Sequence, residues 1–160
     1  MNATSFEKGL LVYFRVLMGW TFLYASSHQL FDPNFSASGF LEHTKTFHSF
    51  FVLFAAPAIR PVTDFLVEWG HLLIGLSLLS GLLVRVSGVF GILLLVTYYF
   101  AHMDFPYIES KLNFIVDYHL VYAGVIAYLM AKQAGHVLGL DGVVARTAFV
   151  KTHPGMAALV

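Results

Sequence analysis

Four long apolar runs limit what this chain can fold into. Residues 8–31, 61–84, 85–103 and 112–131 each carry at most two acidic or basic residues. A helix of roughly 20 residues rises ~30 Å, the thickness of a bilayer's hydrocarbon core. A soluble domain cannot hide that much oil: 58% of the 160 residues are hydrophobic and only 11% are charged, against roughly 25% charged in an ordinary domain. The runs therefore predict an all-α membrane protein, a bundle of four transmembrane helices forming a single domain over residues 1–160. The first run is too long for a cleavable signal peptide.

Between the first two spans, residues 32–39 read as a loop by their turn residues. Residues 40–57 follow, with Phe47, Phe50, Phe51 and Phe54 at helical spacing, interrupted by Thr44, Lys45 and His48. This predicts an additional interfacial helix covering the outer end of the bundle. Residues 132–160 read as a short amphipathic or loose cytoplasmic tail. Lys8, Arg85, Lys132, Arg146 and Lys151 outnumber Lys45, Arg60 and Lys111 on the other side. The positive-inside rule then places both termini in the cytoplasm and the chain in the inner (cytoplasmic) membrane.

Formal net charge is zero, which argues against a nucleic-acid partner. Cysteine is absent, which excludes disulfides, thiol nucleophiles and Cys-ligated clusters. Histidine is plentiful: eight in all, six of them between residues 28 and 119.

Two segments rhyme. "VEWGHLLIGL" (67–76) and "VDYHLVYAGV" (116–125) both set an acid and a histidine ahead of an apolar run. "TFLYASSHQLFDP" and "TYYFAHMDFP" rhyme as well, which suggests a 2+2 internal repeat about an axis along the membrane normal. Chance similarity of apolar segments is the alternative. In either case each helix delivers a histidine to the outer third of the bundle.

Ionisable groups at that depth are costly and mark function by default. Glu68, His71, Asp117 and His119 are the candidate catalytic residues, a proton relay around a shared outer pocket. Glu68 and His71, at i and i+3, share a face with Gly75. Within one helix, Asp117 and His119 would point about 160° apart, so Asp117 is expected to turn away. His28 and His102 are expected to flank the mouth. With Arg15 and Trp69 they make up the candidate cofactor-binding residues, although Arg15 also reads as a snorkelling side chain and Trp69 as part of an aromatic belt. His28, His71, His102 and His119 form an alternative metal or haem ligand set. Gly81, Gly88, Gly91 and Ser77 read as close helix packing.

"RVLMGWTFLYASSHQLFDP", "EWGHLLIGLSLLSGLLVR" and "FIVDYHLVYAGVIAYLMAKQAGHVLGLDG" together resemble the DoxX/DoxD family of small membrane proteins, over residues 15–142. Matching features are Arg15, Gly19, Glu68, Gly75, Gly81, Arg85, Asp117, His119 and the "AGHVLGLD" tail. Ser26 and Gln29 depart from the Gly and Lys common in that family. The resemblance implies four helices and, for the DoxD branch, the membrane subunit of a thiosulfate:quinone oxidoreductase. Quinone, the bilayer and a partner subunit or second copy would then be its partners. A non-enzymatic assembly factor, scaffold or small permease is the competing class.

Overall fold

The computed structural model describes residues 4–157 and 159–160. Its helices are α1 (Ser5–Leu30), α2 (Ser38–Leu41), α3 (His48–Ala55), α4 (Arg60–Ser80), α5 (Val84–Ala101) and α6 (Tyr118–Ala131). A 3-10 turn (Ala134–His136) and the short helices α7 (Leu140–Val144), α8 (Ala148–Thr152) and α9 (Pro154–Ala157) follow. Between α5 and α6 lies an antiparallel meander of β1 (Met103–Asp104), β2 (Tyr107–Ile108) and β3 (Ser110–Phe114). The protein is thus mostly helical with one small sheet. Helices α1, α4 and α5 are long and apolar enough to cross a membrane, which marks it as a membrane protein.

Local chemistry sets the helix ends. Thr4 caps α1, its hydroxyl accepting from the Glu7 N–H at 3.2 Å. Pro61 sits in the first turn of α4, where its missing N–H costs nothing. Gly81 ends α4 at φ 68°, a left-handed conformation that glycine adopts freely.

The longest helix interface is between α1 and α4, and glycines make it close. A Cβ on Gly75 would lie 2.7 Å from Leu23 Cγ and 2.9 Å from its backbone nitrogen. A Cβ on Gly19 would lie 2.9 Å from Leu79 Cγ. Gly88 and Gly91 admit Met130 and Ile126 of α6 in the same way, as expected from the sequence. Gly75→Ala should therefore destabilise the protein by about 1–3 kcal/mol through overpacking, measurable as earlier thermal unfolding in detergent. Between the helices, Leu11, Met18, Phe22, Leu78, Ile126 and Leu129 form the buried core. The outward faces stay apolar, with Trp20, Phe65, Leu73, Phe90 and Leu93 exposed, which suits lipid contact and not water.

Three expectations need correction. The fourth apolar run is not helical from residue 112. Residues 110–114 form β3, and α6 begins only at Tyr118. Its 14 residues rise about 21 Å, short of a full span. The interfacial segment is two short helices joined by a turn, and Phe47 precedes the second of them. The C-terminal segment is not loose. Arg15 is 3% exposed, and its guanidinium donates to the carbonyls of Ala134 (2.6 Å), Val137 (3.0 Å) and Leu138 (3.0 Å). Asp141, 1% exposed, accepts from the N–H groups of Leu83 (2.6 Å) and Val84 (3.2 Å). It thereby serves the free N-terminus of α5. Gly135 leaves room for that carboxylate, since a Cβ there would collide with it.

Lys132 pairs with Glu7 at 2.7 Å, and this hydrogen bond and charge hold the lysine's pKa above its usual value. The start of α1 and the C-terminal segment therefore meet at one end of the bundle. The loops 31–59 and 102–117 lie at the other. Helix α1 pairs with α4, and α5 with α6, as two two-helix units would. The rhyming segments are nevertheless placed differently. His71 lies three turns into α4, whereas His119 is the second residue of α6.

Candidate functional site

A cavity of about 600 Å³ opens at the end away from the termini. This is the size range of small-molecule sites. Its existence follows from the short fourth helix. Helix α6 begins a layer deeper than α4 does, and the space beyond its first turn is roofed by α2 and α3 instead of a helix end. The ends of α1 and α5 and the starts of α4 and α6 supply the walls. Phe50, Phe51 and Phe54 of the expected aromatic stripe line the roof side together with Phe40, whereas Phe47 does not line the cavity.

Three histidines and three tyrosines line this space, with Tyr98 in ring contact with all three histidines. The Tyr98 ring lies 5.6 Å from that of His71 and 6.0 Å from that of His119. These two distances keep His71 and His119 within about 12 Å of each other, close enough for one ligand to touch both. His102 stacks on His119 at 5.0 Å and packs against Phe40 at 4.5 Å. Tyr118 also stacks on His119, at 4.2 Å.

The three histidines are oriented alike. His71 Nδ1–H donates to the Val67 carbonyl at 2.6 Å, and His102 Nδ1–H donates to that of Tyr98 at 2.9 Å. His119 Nδ1–H donates to Asp117 Oδ2 at 2.5 Å. Each Nδ1 is committed to an acceptor, so each neutral ring keeps its Nε2 lone pair. The set can take up and hand over protons at three Nε2 atoms.

Asp117 does the opposite of what an ideal fourth helix predicted. It precedes α6 in extended backbone, φ −134°, and caps it by accepting from the His119 and Leu120 N–H groups. Outside the helix the 100° step per residue does not apply, and the carboxylate turns back onto the His119 ring. Both side chains are buried. The meander makes this possible: Tyr99 donates its hydroxyl to the Ile115 carbonyl at 2.6 Å, which fixes the approach to Asp117.

The other candidates are not brought together. Glu68 is only half-buried and does not line the cavity. Trp69 is exposed and packs on Phe65 at 6.0 Å. His28 lies on the exposed face of α1 against Tyr24, with ring centroids 4.5 Å apart. Arg15 belongs to the opposite end of the molecule. Since His28 is elsewhere, the four-histidine ligand set does not assemble. No group of three or more His, Asp or Glu among the described residues is placed to hold a metal ion.

Sequence reasoning missed Tyr98 and Gln29. Tyr98 sits one turn before His102, a spacing that puts both on one face. Gln29 lines the cavity, and its Oε1 is buried with no partner. Such a group is satisfied when a ligand or water meets it.

Compared with known families, the chain matches no family model. It matches no characterised protein and no solved structure either.

Proposed function

We propose that this chain is the four-span membrane subunit of a quinone-linked oxidoreductase of the DoxX/DoxD type. It lies in the inner (cytoplasmic) membrane with both termini in the cytoplasm. Its reductant is a small sulfur compound such as thiosulfate. The observation that carries the reading is the apolar cavity at the outer end, in which three histidines with free Nε2 atoms surround one tyrosine.

Quinone reduction couples two electrons to two protons. The ring is flat and apolar, its two oxygens need hydrogen-bond donors, and the molecule arrives through lipid. A wall of phenylalanines suits the ring and tail. His71 and His119 suit the oxygens: each Nε2 takes a proton and passes it on. The Asp117 carboxylate at the His119 Nδ1–H stabilises the imidazolium formed on the way. The chain has no cysteine, so the electrons come from the sulfur compound itself or from a partner subunit. Helix α6 completes the bundle as a fourth span.

The test is binding of a short-chain quinone analogue to detergent-purified protein, read by quenching of aromatic fluorescence. Saturable binding should be weakened by His71→Ala and unchanged by Glu68→Gln, whose side chain lies outside the cavity. Absence of saturable binding to the intact protein sinks the reading. Orientation has its own test. Ser38→Cys and Ser110→Cys, in a chain with no native cysteine, should react with an impermeant thiol reagent from outside intact cells. Reaction only after permeabilisation reverses the topology.

A further inference from the structure

A second, more polar cleft of about 430 Å³ lies beside the first cavity, lined by Lys45, Asp104, Glu109 and Lys111 among others. Phe40, Ala101 and His102 border both spaces. Of these three only His102 can carry a proton. On one side its ring stacks on His119 at 5.0 Å. On the other it faces the cleft, where Glu109 and Asp104 are exposed. The Glu109 N–H donates to the His102 carbonyl at 2.9 Å, which ties the meander to this residue. Tyr118, which lines the first cavity, stacks on His119.

We propose that His102 is the junction through which the buried cavity exchanges protons with the outer aqueous phase, with Glu109 as the cleft-side group. This rests on the quinone reading of the cavity. Reduction of one quinone takes up two protons with two electrons from the sulfur compound, and the lipid-facing walls supply none. A proton enters the cleft, reaches His102 Nε2 by water or by Glu109, and passes to the His119 side and the quinone oxygen. His102 Nδ1–H stays on the Tyr98 carbonyl, so Nε2 does the exchange and the ring returns to its starting state after each proton.

Two measurements on the full chain in membranes decide it. In the first, His102→Cys is treated with an impermeant methanethiosulfonate, with His71→Cys as the buried comparison. His102→Cys should react and His71→Cys should not, and a short-chain quinone analogue should slow the reaction. No reaction at His102→Cys overturns the inference, however quinone behaves. Reaction without protection by quinone leaves the junction standing and removes the quinone reading. In the second, His102→Ala should reduce the analogue about 10²-fold more slowly with thiosulfate as donor. Imidazole added to the medium should restore the rate, a rescue that a packing role would not show. A wild-type rate, or a slow rate that imidazole leaves unchanged, overturns the proton role. If the His102 variants do not fold, Ser110→Cys on the cleft rim carries the test. Blocking it with a bulky reagent should lower turnover at unchanged quinone binding, and unchanged turnover counts against the junction.

Discussion

Asp117→Asn should slow the proposed quinone reduction by about 10²–10⁴-fold while leaving fold and quinone binding nearly intact. Asparagine caps helices as well as aspartate does, so the His119 and Leu120 N–H groups keep an acceptor and α6 still starts at Tyr118. What is lost is the negative charge 2.5 Å from His119 Nδ1. The amide holds the ring less firmly in one tautomer and does not stabilise an imidazolium. The loss should fall on kcat, with little change in KM, because the ring still occupies the wall of the cavity. Steady-state kinetics beside a thermal melt separates the two effects. A variant that keeps its full rate would remove Asp117 and His119 from the proton path.

Arg15→Ala should be strongly destabilising, costing about 3–5 kcal/mol. The guanidinium serves three backbone carbonyls at once. Their donors would vanish, and each buried acceptor left without a partner costs about 1–3 kcal/mol. Asp141 would also lose the cation that faces it. The C-terminal segment should detach first, so a protease added to the side bearing the termini should cut after Ala131 in the variant and not in the wild type. Arg15→Lys should recover only part of the loss, since an ammonium lacks the planar fork of donors. Equal resistance of Arg15→Ala and wild type would show that the segment is held by other contacts.

Much of this architecture was legible without coordinates, because hydrophobic length is a one-dimensional property. Runs of low charge fix where helices can cross, and α1, α4 and α5 fall within a few residues of the positions that the runs predict. Gly75, Gly88 and Gly91 were readable as close-approach positions for the same reason: a missing Cβ acts locally. The depth of His71 also followed from counting residues. The boundary of α6 did not. "SKLNFIVD" is apolar enough to extend a helix, and only the hydrogen bonds of β3 to β2, with Tyr99 holding Ile115, favour the meander. That one boundary reverses the direction of Asp117 and makes room for the cavity.

The remaining differences are of the same kind. A charge in an apolar helix announces that it needs a partner but not which one. Arg15 found backbone carbonyls more than 100 residues away, and Glu68 stayed outside the cavity. Composition and periodicity thus determined that the chain enters a membrane, where its long helices run, and that histidines gather at one end. Tertiary packing decided which histidines share a space, which acid orients one of them, and what the buried arginine holds. Such pairings depend on contacts between distant residues, and a sequence specifies those only through the folded backbone.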